Sequence, residues 1–328
     1  MIDKYFRNIN YMRISVLDRC NLRCRYCMPN GLSESEKIPA KDILSFEQIA
    51  EIVSEGAKLG ITRIKLTGGE PLLRKNIAEL IQKIKAVQGI EQLTLTTNGI
   101  LLKQNLPLLK AAGLDGVNVS IDTRRPDLFK KITSYDCLAQ VEEGIFSALD
   151  AGLRVKTNTV LLTGINDKYW YELLDFAKNY KIDVRFIEMM PIGIGKNFSA
   201  VSNDFIFAQL KKLYPGLEED SSVHGNGPAR YVKIPGFTGG IGFISAIHGK
   251  FCESCNRIRL TASGKLKPCL CFSSTVDLKE ALLIKDESSR KEMLNNLLKE
   301  AISSKPKSHV FENLSDVSEV HPMVQIGG

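Results

Sequence analysis

Cysteine residues lie in two short groups near the two ends of the chain, and only one of the eight, Cys137, stands apart from them. The first group is Cys20, Cys24 and Cys27, and the second is Cys252, Cys255, Cys269 and Cys271. Three thiolates spaced C-x3-C-x2-C, with no histidine nearby, suit an iron–sulfur cluster of four irons that leaves one iron open to a small ligand. A zinc loop completed by a distant fourth ligand is the alternative, because structural zinc takes four protein ligands.

The second group contains a fourth thiol, Cys271, and therefore allows two interpretations. One is a zinc ribbon with four thiolates. The other is a second iron–sulfur cluster held by the first three thiolates, with Cys271 as a bystander. Arg257 and Arg259 come directly after the pair Cys252 and Cys255, and their forked donors suit phosphate oxygens. A charged strand facing solvent is the alternative for these two arginines.

Strands and helices alternate about six times before residue 190. The predicted strands are residues 11–16, 63–66, 93–96, 117–121, 154–162 and 184–187; the predicted helices are 46–58, 76–85, 106–112, 138–151 and 169–180. Such alternation predicts parallel strands with right-handed crossovers. Six units are too few for a closed barrel of eight, so we expect an α/β fold with a partial, open parallel β/α barrel over residues 1–200. A smaller region, 201–328, carries the second cysteine group.

Polar residues at strand ends indicate one shared site. The loop Thr67-Gly68-Gly69-Glu70-Pro71 follows the second strand, and its paired glycines allow close approach of the backbone and leave main-chain groups free to bind a ligand. Other residues at or just past strand ends are Thr96, Ser120 and Met190. Ligands of β/α barrels bind at this edge. Arg13 and Lys156 lie inside strands, where they need an anion unless they face solvent.

The cysteine triad and the Gly-Gly-Glu-Pro loop together resemble the radical S-adenosylmethionine (SAM) superfamily. The resemblance implies a first 4Fe–4S cluster whose open iron chelates the methionine part of SAM, followed by one-electron cleavage to a 5′-deoxyadenosyl radical. Tyr26, between the last two cysteines, matches a position that the superfamily places near the adenine.

Within that superfamily the chain resembles the GTP 3′,8-cyclases of molybdenum cofactor biosynthesis. The matching segments are residues 13–21, 26–29, 95–99, 118–122 and 185–190, the second cysteine triad with its arginines, and the terminal Gly327-Gly328. The resemblance implies that the radical takes the ribose 3′ hydrogen of GTP and that the ribose carbon then attacks C8 of guanine. The product is (8S)-3′,8-cyclo-7,8-dihydroguanosine 5′-triphosphate.

The same resemblance implies roles for individual residues. SAM contacts fall on Tyr26, Gly69, Ser120 and Met190; GTP contacts fall on Arg13, Lys65, Thr96, Lys156, Arg185, Arg257, Ile258 and Arg259; cluster ligands are Cys20, Cys24, Cys27, Cys252, Cys255 and Cys269; catalytic roles fall on Arg257, Arg259, Gly327 and Gly328. The open iron of the second 4Fe–4S cluster meets the guanine. Lys65 stands where the family usually has an arginine, so the charge is kept and the fork is lost.

Partners and location follow from the resemblance and from composition. The family implies a homodimer, a reductase or flavodoxin-like electron donor, and cyclic pyranopterin monophosphate synthase as the next enzyme. The sequence has no apolar run of 18 residues and no signal-peptide pattern, so we expect a cytoplasmic protein with reduced cysteines. The net charge of +7 suggests an anionic partner, while the absence of a Walker loop favours dispersed Arg and Lys as its binding groups.

Three other functions are weighed against this one. A radical SAM enzyme with an auxiliary cluster that acts on a peptide or a tetrapyrrole precursor would share both cysteine groups. An RNA-binding protein stapled by zinc would explain the positive charge, but an aromatic content of 7% argues against base stacking, and we expect no nucleic-acid partner. The terminal Gly-Gly is also found in ubiquitin-like proteins, yet nothing in the sequence predicts their small β-grasp domain.

Overall fold

The computed structural model describes residues 1–327, and twelve strands of this range form one sheet in the order β12-β11-β10-β1-β2-β3-β4-β5-β6-β9-β8-β7. The strands are β1 (Tyr11–Ser15), β2 (Arg63–Thr67), β3 (Gln92–Thr97), β4 (Gly116–Ser120), β5 (Arg154–Val160), β6 (Ile182–Ile187), β7 (Glu218–Asp220), β8 (Arg230–Lys233), β9 (Ile241–Ile244), β10 (Arg257–Leu260), β11 (Lys265–Lys267) and β12 (Val276–Asp277). Gly328 lies outside the described residues.

The middle of the sheet is parallel, from β10 through β1–β6 to β9. Antiparallel hairpins follow at both edges, with β11 and β12 beside β10 and with β8 and β7 beside β9. These hairpins cover the edges that an open barrel leaves unpaired. The predicted partial barrel of six β/α units is confirmed. The sequence pattern did not show that β9 and β10, from the C-terminal region, extend the parallel sheet on both sides. The division at residue 200 stays a prediction.

Helices cover the outer face of the sheet, except the last one, which packs in a separate apolar cluster. They are α1 (Phe46–Lys58), α2 (Ile77–Lys85), α3 (Leu102–Ala111), α4 (Pro126–Thr133), α5 (Leu138–Asp150), α6 (Leu174–Asn179), α7 (Asn203–Leu213), α8 (Lys279–Leu282), α9 (Glu287–Ser303) and α10 (Met323–Ile326). Ser45 caps α1 as predicted, in a capping box with Gln48. The helix predicted from residue 106 begins earlier, at Leu102, and Pro107 lies in its interior. The prediction missed α4, whose first residue is Pro126, a favourable first helical position.

Alternation along the central strands separates an apolar outer face from a polar inner face. Met12 and Ile14 of β1 are fully buried in the core under the helices. Arg13, between them, lines the barrel interior. A parallel strand that is covered on both sides is usually apolar throughout, so a polar inner face shows that the barrel encloses a cavity. No helix among residues 1–327 is long and apolar enough to cross a membrane.

Candidate active site

The loop that follows β1 carries the first cysteine group, and the glycine loop after β2 holds it in place. The N–H groups of Gly69 and Glu70 donate to the carbonyls of Leu17 and Arg19, both at 2.7 Å. A Cβ on Gly69 would lie 2.2 Å from the Arg19 oxygen, so only glycine fits this approach. These two N–H groups therefore bind the cysteine loop, which corrects the expectation of free main-chain groups for the N–H of Gly69.

Buried Glu70 connects the same region to the loop after β3. Its carboxylate accepts from the Thr97 hydroxyl at 2.7 Å and from the Asn98 N–H at 2.7 Å. Burial raises the pKa of Glu70 to about 7, against the opposing effect of these hydrogen bonds. The Asn98 amide donates to the Asn21 side chain at 2.8 Å and lies 3.7 Å from Cys20 Sγ. Three strand-end loops thus fix the position of one thiol.

Tyr26 reaches across the barrel mouth to a carboxylate that follows β4. Its hydroxyl donates to Asp122 Oδ2 at 2.6 Å, and the Val160 N–H donates to Asp122 Oδ1 at 2.9 Å. Burial raises the pKa of Asp122 to about 6 and raises the pKa of Tyr26 well above its usual value. The end of the first cysteine group is therefore bound to both β4 and β5.

Burial also raises the pKa of all three thiols of the first group. It raises the pKa of Cys20 and of Cys24, and it raises the pKa of Cys27 to about 12. Cys20 and Cys27 both add to the raised pKa of Cys24, and Cys20 adds to that of Cys27, so the charges of these thiols interact. Thiolates here need a positive partner, which an iron–sulfur cluster would supply.

The second cysteine group flanks β10, whose neighbour in the sheet is β1. Cys252 begins a short 3-10 turn that ends just before Cys255, and Cys269 follows β11. Arg257 Nη2 lies 4.0 Å from Cys255 Sγ, and Lys305 Nζ donates to the carbonyl of Arg257 at 2.9 Å. Burial would raise the pKa of Cys255, but Arg257 and Lys305 outweigh it and lower that pKa to about 6.

Cys271 has different surroundings from the other three thiols of its group. It is fully buried in an apolar cluster with Leu270, Ile192, Phe311 and Ile326, and the Val310 N–H donates to its sulfur at 3.5 Å. Burial raises its pKa to about 11. Within residues 1–327 no group of three or more Cys, His, Asp or Glu side chains is arranged to hold a single metal ion.

A cavity of about 440 Å³ occupies the half of the barrel nearest the amino ends of the strands. Its basic lining residues are Arg13, Arg63, Lys65, Arg154, Lys156, Arg185, Arg230 and Arg257. Acidic lining residues are Glu219 and Asp220. Arg257 connects this cavity with the second cysteine group, because its guanidinium borders both.

The cations at the centre of the cavity lack acidic partners. Within residues 1–327 no carboxylate forms an ion pair with Lys65, Arg185 or Arg257. Nε and Nη2 of Arg185 are buried without a hydrogen-bond partner. Burial, followed by the charge of Arg185, lowers the pKa of Lys65 well below its usual value. A buried group of cations of this kind is suited to a polyanionic ligand.

Several predicted contact residues have definite positions. The Thr96 hydroxyl is buried without a partner, Ser120 ends β4, and Met190 follows β6 and packs against the apolar cluster around Cys271. Ile258 lies on β10 between the two arginines, but its side chain is fully buried in the core. A substrate contact by Ile258 would therefore use its main chain. Lys156 is bound by carboxylate, hydroxyl and carbonyl groups, as described below.

The C-terminal segment lies between the two cysteine groups. Arg259 Nη1 donates to the Gly327 carbonyl at 2.6 Å, and burial, with the nearby charges of Arg13 and Arg257, lowers the pKa of Arg259 to about 9. The Val324 N–H acts on Cys27 against the burial that raises the pKa of this thiol. Gly327 has a φ of +78° and ends α10. The structure thus brings Gly327 to Arg259; Gly328, also predicted to act in catalysis, lies outside the described residues.

Comparison with known proteins agrees with this geometry. Residues 14–177 match the family model of the Radical SAM superfamily, and residues 182–311 match that of Molybdenum Cofactor Synthesis C. A GTP 3′,8-cyclase of Clostridium perfringens (strain SM101 / Type A) is 41% identical over 330 residues and covers 100% of both chains. The enzymes of the same name from Alkaliphilus oremlandii and Desulforamulus reducens are 42% and 44% identical, again over 100% of both chains. This chain belongs to the GTP 3′,8-cyclase family of the radical SAM superfamily.

The solved structures support the fold. SuiB of Streptococcus suis, bound to S-adenosylmethionine, is 14% identical and superposes with a TM-score of 0.60, covering 97% of this chain and 78% of that one. The family and the fold predicted from the sequence are confirmed. The superfamily implies one 4Fe–4S cluster and SAM for this enzyme.

Some residues of the site were missed in the sequence. Asn98 and Asp122 lie within segments that carried the resemblance, Thr-Thr-Asn-Gly and Ser-Ile-Asp, and their place just past strand ends was the available signal. Lys305 gives no such signal, because it reaches Cys255 and Arg257 from a distant part of the chain.

Proposed function

We propose that this enzyme converts GTP to (8S)-3′,8-cyclo-7,8-dihydroguanosine 5′-triphosphate, the first step of molybdenum cofactor biosynthesis. The family relationship supports this reaction over the full length of the chain. The observation that carries it is the cavity in which Lys65, Arg185 and Arg257 have no acidic partner within residues 1–327, directly beside a cysteine group. Such a cavity suits the triphosphate of a nucleotide whose base lies at that cysteine group.

The first cysteine group fits the superfamily's cluster. Cys20, Cys24 and Cys27 would hold it, and Tyr26, Gly69, Ser120 and Met190 would contact SAM. When bound, the cluster and SAM supply a one-electron cleavage that produces a carbon radical able to take hydrogen from the ribose. The role of the chain is to hold the thiols through Asn98, Gly69 and Glu70, and to exclude water at a mouth closed by buried Tyr26 and Asp122.

The second group would hold another 4Fe–4S cluster through Cys252, Cys255 and Cys269. The chemistry of the donor set supports this, because Arg257 and Lys305 favour the thiolate form of Cys255 without any metal. Buried Cys271 would remain a bystander. The open iron of this cluster would meet the guanine, and Arg257 would hold both the site's thiolate and the substrate's phosphates.

Substrate orientation would come from the inner face of the barrel. Arg13, Lys65, Arg185 and Arg257 would bind phosphate oxygens, and Lys156 would do so by exchanging one of its present partners. Further contacts would come from Thr96, Arg259 and the main chain of Ile258. Gly327 and Gly328 would complete the site through the tail that Arg259 holds. Lys65→Ala should weaken GTP binding, and unchanged affinity would contradict the assignment of Lys65.

Partners are proposed from the family. A reductase or flavodoxin-like protein would deliver electrons, the enzyme would act as a homodimer, and the product would pass to cyclic pyranopterin monophosphate synthase.

An isotope experiment tests the reaction. The anaerobically reconstituted enzyme receives reductant, SAM and each nucleoside triphosphate in turn, with deuterium at the ribose 3′ position. We expect deuterium in 5′-deoxyadenosine with GTP and with no other nucleotide. Deuterium transfer from ATP, or stimulation of 5′-deoxyadenosine release by a peptide and not by GTP, would contradict the proposal.

A further inference from the structure

A glycine-containing segment between β7 and β8 closes the amino end of the barrel. We call residues 221–229 the strap. All of them line the cavity, together with Glu219, Asp220, Arg230 and Tyr231. The strap lies at the opposite end of the barrel from the loop of the first cysteine group, because the cavity is formed by the first residues of the strands.

His224 fixes the strap to the β6 side of the barrel. Its Nδ1 lies 3.0 Å from Asp183 Oδ2, and its Nε2 lies 2.9 Å from Asp220 Oδ2. The ring stacks on Tyr231 with a centroid distance of 3.9 Å and an interplanar angle of 9°. Two carboxylates on different strands therefore hold one imidazole, which leaves little freedom for the segment that carries it.

Lys156 is bound to the same anchor. Its ammonium lies 2.9 Å from Asp183 Oδ2 and 3.1 Å from the Tyr231 hydroxyl, and it donates to the His224 carbonyl. An ammonium has three N–H donors. All three are thus accounted for by the strap and its neighbours, so in this structure Lys156 supports the end of the cavity.

Asn226 fixes the strap to the other side of the open barrel. Its side-chain oxygen accepts from Arg63 Nη1 at 2.9 Å, and its amide donates to Asn10 Oδ1 at 3.3 Å. The Asn256 amide donates to the Asn226 carbonyl at 3.4 Å. Asn10 and Asn256 directly precede β1 and β10, so the strap spans from β6 to β1 and β10, strands that the sheet order keeps apart.

We propose that the strap sets how many phosphates of the 5′-phosphate chain fit in the cavity, with His224 and Asn226 as its positioning residues. This inference rests on the proposed function, since it assumes that a guanine nucleotide places its phosphates in the cavity. Gly225, Asn226 and Gly227 line the cavity, and within residues 1–327 no acceptor is found for their N–H groups. Free N–H groups of a glycine-rich segment suit a terminal phosphate, and an anchored segment excludes a longer chain.

The test measures binding without radical chemistry. Isothermal titration calorimetry on the full-length protein, reconstituted anaerobically with iron and sulfide and held without SAM, compares GTP, GDP and guanosine 5′-tetraphosphate. The wild type should prefer GTP over both. His224→Ala and Asn226→Ala, which release opposite ends of the strap, should each reduce the preference for GTP over the tetraphosphate roughly tenfold.

Lys233→Ala is the matched control, because Lys233 is an exposed cation on the same hairpin that does not line the cavity. Its preference should equal that of the wild type. Iron content and melting temperature show whether each variant is folded, and Asp183→Asn gives a second way to release the His224 end at nearly constant volume. Unchanged preference in folded Asn226→Ala and in a folded variant at the His224 end would overturn the strap proposal. Failure of the wild type to bind GTP would overturn the proposed function instead.

Discussion

Burial raises the pKa of Cys20, Cys24 and Cys27, whereas Arg257 and Lys305 lower the pKa of Cys255 to about 6 although that thiol is buried too. Two carboxylates lie near the first cysteines, because Asp122 raises the pKa of Cys24 and Glu70 raises that of Cys20, where Arg23 acts in the opposite direction. An acidic setting suits SAM, whose sulfonium is a cation. A basic setting suits a nucleotide triphosphate. Both cysteine groups offer sulfur ligands, but their surroundings suit small molecules of opposite charge.

The largest expected effect comes from removing one thiol in each group. Cys24→Ala should abolish SAM cleavage, because the first cluster would lose one of its three ligands. Cys255→Ala should retain reductive SAM cleavage without substrate and lose GTP cyclisation. Chromatography of 5′-deoxyadenosine and of the cyclised product measures both activities. If both variants lost SAM cleavage to the same extent, the two groups would not have separate roles.

Arg257 tests the basic side of the comparison. Arg257→Ala should weaken GTP binding on the order of 10- to 100-fold, because a charge-assisted fork in the cavity is lost. Arg257→Lys should recover part of this loss, since it keeps the charge and not the fork. SAM affinity, measured by equilibrium dialysis, should not change in either variant. A parallel loss of SAM affinity would show that Arg257 serves both sites.

Asp122 tests the acidic side. Asp122→Asn keeps the size of the side chain and removes its charge, so SAM affinity should fall by roughly three- to tenfold while GTP affinity stays the same. Tyr26→Phe is the control, because it removes the 2.6 Å hydrogen bond to Asp122 and leaves the carboxylate in place. An equal loss of SAM affinity in both variants would show that the hydrogen bond matters and the charge does not.

The pH dependence of binding should differ between the two sites. Burial, with the nearby charge of Arg185, lowers the pKa of Lys156 to about 8. Lys156 is protonated below that pH and loses its charge above it, so GTP affinity should fall as pH rises through about 8, by at most about tenfold per pH unit. Titration calorimetry from about pH 6.5 to about pH 9.5 measures the slope of GTP affinity against pH. Lys156→Gln should flatten it, and an unchanged slope would assign it to another group.

The smallest expected effect concerns Cys271. Cys271→Ala should leave the iron content unchanged and lower the free energy of unfolding by about 1 kcal/mol, because it only removes a sulfur from an apolar cluster. Cys269→Ala should lose the second cluster. Iron analysis and thermal unfolding of the two variants separate these outcomes. Loss of iron from Cys271→Ala would make Cys271 a ligand.

The parts of the site that depend on neighbouring residues in the sequence could be predicted from it. The C-x3-C-x2-C triad and the Gly-Gly-Glu-Pro loop depend on neighbouring residues, and Ser45 with Gln48 defined the start of α1. Pairing between Tyr11 and Arg257 is different, because the two residues are far apart in the chain and no local pattern announces that they are neighbours. The prediction therefore found the arginines and not their strand's position beside β1.

The contacts at the amino end of the cavity also join residues that are far apart in the chain, so the sequence pattern did not predict them. That Lys156 binds GTP stays a prediction, but no local pattern showed that its ammonium is also held by Asp183, Tyr231 and the His224 carbonyl, which two later strands and the strap contribute. The His-Gly-Asn-Gly-Pro segment looks like an ordinary loop in the sequence. Only its contacts with Asn10 and Asn256 show that it spans the barrel.

Iron and acid-labile sulfide per chain test the central claim, that the two cysteine groups hold separate clusters. The anaerobically reconstituted wild type should contain about eight irons, and each triple Cys→Ala variant, at 20, 24 and 27 or at 252, 255 and 269, about four. The variant that lacks the first group should still bind GTP, and the variant that lacks the second should still cleave SAM. About four irons in the wild type would contradict the account, because the second site would then hold no cluster for the guanine to meet.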